Sequence, residues 1–322
     1  MRVIVHGVGA IGGTIAAELA RAGQEVVGIA RGRQLEAIRD KGLTVRTPEL
    51  TYSQAFDCVG DPAEIAFRPD DAILLTVKGQ DTEAALGQLR AAGVTDQPIF
   101  CAQNGVENER RVLRRFPNVH GVTVMLPADY VVPGEVAVFA GPKFGLFEIG
   151  RFPGGVDAAD EALVEALGHC NFAPFLSEDV MRPKYGKLLM NLRNISGAAL
   201  GEGAAAKAVG ALLIAEGEAV LRAAGIDWQD VGASDPRRKE LMQMRDIPGV
   251  DRVGSSTAQS LARNVGSIET DFLNGEIVVL GRLHSVATPA NDYMMALAAR
   301  MLREGLAPGS IDGDEVKAAL GL

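Results

Sequence analysis

The sequence predicts an α/β amino-terminal domain followed by an all-α carboxy-terminal domain, and three observations lead there. Short β-rich runs alternate with helical stretches over 1–178. A glycine-rich turn joins the first strand to the first helix. Over 179–322 the strand signals give way to helical patterns. At 322 residues the chain is long enough for two such domains, each with its own core.

The first strand is RVIVH (2–6), followed by GVGAIGG, the helical TIAAELARAG and a second strand, EVVGIA (25–30). A lone G-x-G-x-x-G is weak evidence, but strand–glycines–helix–strand is the context that gives it meaning. Gly7 suits the tight turn, Gly9 the close approach of a pyrophosphate, and Gly12 the packing of helix on strand. Ala10 and Ile11 open the helix, whose first N–H groups and positive dipole end suit phosphates. The domain is therefore Rossmann-type and dinucleotide-binding. An NAD site usually carries an acidic residue after the second strand. Ala30-Arg31-Gly32-Arg33 stands there instead, and a guanidinium fork grips a 2′-phosphate, so Arg31, helped by Arg33, favours NADP(H). Two arginines on a surface loop are the plainer alternative.

DAILLTVKGQD (71–81) and QPIFCAQNG (97–105) are near-continuous apolar strands of the kind buried on both faces of a parallel sheet. Ligands of such sheets bind beyond the strands' carboxyl ends, where Lys78 and Asn104 stand. From 119 to 149, β segments broken by Pro127, Pro133-Gly134 and Gly141-Pro142 predict an antiparallel or mixed addition. A helix over 157–168 and the strand NFAPFL complete the domain.

The second half predicts helices at about 180–200, 205–224, 234–246, 255–283 and 289–304, with Gly225 and Pro248 as stops and Pro289 as a start. A cleft between the domains is the expected site. Within KYGKLLMNLRN (184–194), at 100° per residue from Lys187, Asn191 falls at about 40°, Asn194 at about −20° and Lys184 at about 60°. This polar stripe reads either as a solvated face or as a cleft wall. Ser255 and Ser256 follow a glycine, and Glu269 lies in a helix-like run that spacing alone makes a surface carboxylate. The histidines, His6, His120, His169 and His284, are isolated from one another, and no metal-ligand spacing occurs.

A net charge of −9 argues against duplex nucleic acid or an anionic membrane as partner. No apolar run approaches the roughly 20 residues of a membrane span. Cys58, Cys101 and Cys170 lack paired spacing and read as free thiols. With no signal-peptide pattern at the start, a cytoplasmic location is expected.

Taken in order, GVGAIGG, Ala30-Arg31-Gly32, TVKGQD, QNG (103–105), KLLMN (187–191), SSTAQ (255–259) and IETDFLNG (268–275) resemble the ketopantoate reductase (2-dehydropantoate 2-reductase) family over essentially the whole chain. The resemblance implies reduction of a small 2-oxo acid to a 2-hydroxy acid by NADPH, and a homodimer. It puts Lys187 on the family's catalytic lysine and Glu269 on its essential glutamate. Asn191 falls on an asparagine beside the lysine, Asn104 on one near nicotinamide and substrate, and Lys78 on a lysine at the mouth of the site. Ser255 or Ser256 matches a serine that holds the substrate carboxylate. Lys187 would give the proton while the carbonyl oxygen gathers charge, a contribution of roughly 10²–10⁴-fold. Burial would lower its pKa and a neighbouring carboxylate would hold it protonated. Glu269 either sets that balance or binds a substrate hydroxyl. Lys184 is expected near the rim.

Two departures leave the exact 2-oxo acid open. The family's second Asn or Ser, four residues past Asn191 and commonly followed by proline, is replaced by Ile195-Ser196, which makes Asn194 the nearest amide. The stretch from the serine pair to Glu269 is also about one residue long for the family. A 3-hydroxyacid dehydrogenase, which also sets a lysine four residues before an asparagine, is the alternative; SSTAQ and IETDFLNG speak against it. A catalytically silent NADPH-binding regulator is less consistent with retention of Lys187 and Glu269.

Overall fold

A computed structural model describes residues 1–263 and 266–322. The chain divides into two compact units. The first comprises Met1–Asn104, Asn108–Lys184 and Ala233–Arg252, and the second Gly105–Glu107, Tyr185–Gly232 and Val253–Leu322.

The first unit is built on an eight-stranded sheet. Its order is Phe172–Leu176, Gly145–Arg151, Val119–Met125, Ile99–Cys101, Asp71–Leu75, Arg2–His6, Val26–Ile29 and Asp57–Val59. Neighbours are parallel except where Gly145–Arg151 runs antiparallel to Val119–Met125. The apolar runs are continuous because both faces are covered. Val3, Val5, Ala72, Leu74 and Phe100 enter one core, while Ile4, Ile73, Leu75, Ile99 and Cys101 enter the other. At the opposite end of the strands, Arg2 and Asp71 face each other in register and join through two 2.7 Å hydrogen bonds.

The mixed addition foreseen over 119–149 divides among three sheets, Ala140–Pro142 lying in a small two-stranded one. Gly145–Arg151 joins the main sheet, whereas the hairpin Ala128–Val132/Glu135–Val138 pairs through its second strand with Leu43–Arg46, which pairs with Thr51–Gln54, in a separate four-stranded sheet. Helix Ala158–Gly168 and strand Phe172–Leu176 stand where expected.

Helices form the second unit, with corrections. The helix expected over 180–200 is two, Met181–Leu192 and Asn194–Leu200. At the break, Asn274 Nδ2 donates to Leu192 O (3.1 Å) and Ser196 Oγ to Arg193 O (2.9 Å), so side chains satisfy carbonyls there. Asn274 Nδ2 also reaches Asn291 Oδ1 (2.9 Å), and Asn291 Nδ2 donates to Leu213 O and to Glu216. That buried network links four helices. The run over 255–283 resolves into Ser256–Ala262, a short turn at Thr270–Phe272 and Asn274–Leu283; residues 264 and 265 lie outside the described residues. Helix 234–246 is only Pro236–Leu241. It passes into strand Met242–Met244, which pairs with Ala140–Pro142, and this whole segment belongs to the first unit. Arg237 pins this segment by binding Asp235 and Glu148 and lying over the Phe175 ring. Helices Ala204–Ala223 and Pro289–Glu304 follow expectation, and Gly313–Leu320, capped by Asp312, was not foreseen.

Candidate active site

Four adjacent parallel strands of the first unit end along one edge. Their carboxyl ends carry the glycine loop (after His6), Arg31 (after Ile29), Lys78 (after Leu75) and Asn104 (after Cys101). The sheet thus brings together residues that are up to about 100 positions apart in sequence.

The glycine loop divides its three roles as the pattern requires. Gly7 has φ +113°, and a Cβ there would meet Val77 N at 2.7 Å. A Cβ on Gly12 would lie 2.3 Å from Gly7 O and from Thr76 Oγ1, so helix Ala10–Arg21 rests directly on the loop. A Cβ on Gly9 would meet nothing within 4 Å among the described residues. Protein fills the space at the first and third glycines and leaves the second open, which fits a pyrophosphate approaching Gly9. Gly9 caps the helix without a side-chain hydrogen bond, and Ala10 and Ile11 follow it half-buried. Thr76 Oγ1 donates to Gly7 O (2.9 Å), and Gln34 Nε2 to Val8 O (3.0 Å).

Arg31 and Arg33 are exposed, and Gly32 between them has φ +52°. His6, just before the loop, is buried. Burial, then the charge of Arg31, push its pKa down to about 4, with Asp61 opposing. Lys78 is half-buried and precedes the short turn Gly79–Asp81. Asn104 is half-buried; its carbonyl accepts from Asn108 Nδ2 (3.3 Å), and Gly105 turns the chain with φ +82°.

In the second unit, Lys187 and Asn191 share helix Met181–Leu192. Lys187 is half-buried and Asn191 is 5% exposed, with no acceptor for its Nδ2 among the described residues. Asn194 opens the next helix, so its place at about −20° on a continuous stripe does not hold. Its carbonyl accepts from Ser255 Oγ (3.2 Å). Ser255 also caps Ser256–Ala262 by accepting from Ala258 N (3.3 Å). Its one hydroxyl hydrogen is therefore committed. Glu269 is 8% exposed and sits just before the turn Thr270–Phe272, neither in a helix nor on the surface as spacing suggested.

Lys184 is not at a rim. Its side chain is 2% exposed, pairs with Glu109 and donates to Cys101 O (3.0 Å) and Gln103 O (3.2 Å). The wrapping of a lysine inside the first unit carries no mark in local spacing. Gly186 was also missed: a Cβ there would lie 1.7 Å from Gln229 O, so the backbone at Gln229 packs against the helix one residue before Lys187. A glycine inside a helical pattern was its only signal. Among the histidines, His120 Nδ1 meets Asp160 Oδ1 at 2.7 Å beside Asp157. Those carboxylates already cap helix Ala158–Gly168 and hold Arg151, which makes the group a tie between strand and helix.

The family model for Ketopantoate reductase PanE/ApbA matches residues 3–154, and the model for its C-terminal domain matches 180–301. A 2-dehydropantoate 2-reductase of Caulobacter vibrioides is 30% identical over 92% of this chain and 97% of its own. The chain belongs to the ketopantoate reductase family. A second 2-dehydropantoate 2-reductase, from Pyrococcus horikoshii, is 25% identical over 96% of this chain and all of its own. The crystal structure of a PanE/ApbA family ketopantoate reductase from Ralstonia eutropha JMP134 superposes with a TM-score of 0.79 at 28% identity, covering 95% of this chain and 99% of its own. A D-mandelate dehydrogenase solved with NADH and anilino(oxo)acetate shares the fold, with a TM-score of 0.76 at 20% identity over 95% of this chain and all of its own. The α/β first part and helical second part are those of ketopantoate reductases, and a nicotinamide dinucleotide is the cofactor type that goes with them. Among the described residues no helix is long and apolar enough to cross a membrane.

Proposed function

We propose that this ketopantoate reductase family member uses NADPH to reduce ketopantoate, or a close branched 2-oxo acid, to the 2-hydroxy acid. The observation that carries the reading is the single strand-end edge holding the glycine loop, Arg31, Lys78 and Asn104, with Gly9 open to solvent. NADPH, when bound, supplies the reducing electron pair to C2 of the ketone. Gly9, Ala10 and Ile11 receive the pyrophosphate, and Arg31 the 2′-phosphate. Lys78 and Asn104 are assigned to the cofactor from their strand ends.

Lys187 stabilises the charge gathering on the carbonyl oxygen and gives it a proton. Asn191, one turn on, offers the Nδ2 that no protein acceptor uses among the described residues, a donor suited to a substrate oxygen. Of the serine pair, Ser256 is the better carboxylate ligand, because the Ser255 hydroxyl already serves Asn194 and Ala258. Asn194 lies beside that serine on the substrate side. Glu269, buried, holds the lysine's charge balance or a substrate hydroxyl. The first domain (1–178) thus holds the cofactor and the second (179–322) acts on the substrate. A cytoplasmic homodimer completes the reading, resting on family membership.

Fluorescence titration of NADPH and NADH against wild type and Arg31→Ala tests the cofactor side. Wild type should prefer NADPH, and the variant should lose roughly tenfold or more for NADPH alone, as expected for a charge-assisted phosphate contact. Equal wild-type affinity for both cofactors contradicts it.

A further inference from the structure

The Lys184 ammonium donates to two carbonyls, Cys101 O and Gln103 O, and forms an ion pair with the Glu109 carboxylate. Neither member of the ion pair reaches solvent; the Lys184 side chain is 2% exposed and that of Glu109 0%. The acceptors are themselves fixed. Gln103 Nε2 donates to Thr82 Oγ1 (2.8 Å), Thr82 Oγ1 to Asn108 Oδ1 (2.9 Å), and Asn108 Nδ2 to Asn104 O (3.3 Å). The aliphatic stem passes over Gly121, where a Cβ would come within 3.4 Å of Lys184 Cδ and 2.8 Å of Val180 Cγ1. Every group here lies in the first unit.

For folding alone this is an inefficient device, since an apolar pair of similar volume commonly holds a structure as well as a buried ion pair. An apolar pair does not supply direction, whereas two carbonyl acceptors and the paired carboxylate fix the ammonium in place. They also set the rotation of the first turn of helix Met181–Leu192 against the segment that leads into Asn104. Lys187 stands three residues further along that rigid helix.

We propose that Lys184 is a positioning residue for Lys187, its Glu109-paired ammonium setting the helix register from which Lys187 projects. The proposal rests on Lys187 acting as the acid. A slip of the helix by one residue would swing Lys187 by about 100°, and misplacement by about 1 Å at a reacting centre is enough to lower a rate about 10²-fold.

The test is the double variant Lys184→Met/Glu109→Leu. It should fold, with a melting temperature within a few degrees of wild type and NADPH affinity within twofold, while kcat for the 2-oxo acid falls at least tenfold and KM moves less. Glu109→Gln keeps a polar oxygen beside the ammonium and both backbone acceptors, and should retain most of kcat. A folded double variant with kcat within twofold of wild type overturns the proposal. If the double variant does not fold, Lys184→Arg keeps the charge but loses the fit of a compact ammonium to the two carbonyls. It should also lower kcat, and wild-type kcat in that variant overturns the proposal. NMR titration of ¹³C-methylated lysines supplies a readout independent of turnover: the Lys187 resonance and its titration should move in the variant. If wild type reduces no 2-oxo acid, the functional reading fails. An unmoved Lys187 resonance overturns the positioning role separately.

Discussion

Gly186→Ala places one methyl group where the structure leaves no room for it. The Cβ would lie 1.7 Å from Gln229 O and 2.8 Å from Gln229 C. Ordinary contact begins near 3.4 Å, so about 1.7 Å of separation must open between the helix and the backbone at 229. Inserting a methyl into a packed site costs about 1–3 kcal/mol, while alanine in place of glycine inside a helix returns up to about 1 kcal/mol. The net expectation is a loss of roughly 1–2 kcal/mol. Gly87, exposed in helix Thr82–Ala91 with nothing within 4 Å, is the control, and Gly87→Ala should stabilise by about 0.5–1 kcal/mol. Because the displaced residue precedes Lys187, kcat should fall about tenfold or more in Gly186→Ala and stay unchanged in Gly87→Ala. Urea unfolding and steady-state kinetics of both variants read the difference. If Gly186→Ala gains stability like the control and keeps wild-type kcat, the close packing at Gln229 is refuted.

At the glycine loop, Gly9→Ala should fold normally and weaken NADPH about tenfold or more, whereas Gly12→Ala should destabilise by about 2 kcal/mol through its 2.3 Å clashes; calorimetry beside cofactor titration separates them, and the reverse order contradicts the assignment. Asn191→Leu removes a buried donor without an acceptor. It should stabilise the chain by about 1 kcal/mol and raise KM for the 2-oxo acid, and a stability loss with unchanged KM would speak against a substrate role. His6 has its folded pKa depressed to about 4 from 6.5, so its neutral form is the one the fold accepts. Its contribution is complete above pH 6.5 and is lost as pH falls from 6.5 towards 4, about 3 kcal/mol in all. His6→Leu should flatten that part of the stability–pH curve, and an unchanged slope would place the titration elsewhere.

The fold was legible where period and context agreed. The apolar strands 71–75 and 99–101 and the glycines after RVIVH state a parallel sheet buried on both faces, and the strand ends then place Lys78 and Asn104. Helix 289–304 was readable from its proline start and helical pattern. Illegible features depend on partners distant in sequence. Arg193 ends a helix because Asn274, about 80 residues away, serves the Leu192 carbonyl. Met242–Met244 is a strand because Ala140–Pro142 offers it an edge. Lys184 sits on a polar stripe beside Lys187, yet its acceptors at 101 and 103 and its ion-pair partner at 109 draw it into a core. Helical angles put Lys184, Lys187 and Asn191 on one side, and only the tertiary contacts distinguish the buried Lys184 anchor from the half-buried Lys187.

The most direct measurement is NADPH oxidation with ketopantoate and a panel of branched 2-oxo acids, comparing wild type with Lys187→Ala. Wild type should turn over at least one of them, and the variant should bind NADPH within a few-fold of wild type while kcat drops by about 10² or more. NADPH binding with no oxidation across the panel, or an undiminished kcat in Lys187→Ala, would contradict the assignment of this chain as a reductase that uses Lys187 as its acid.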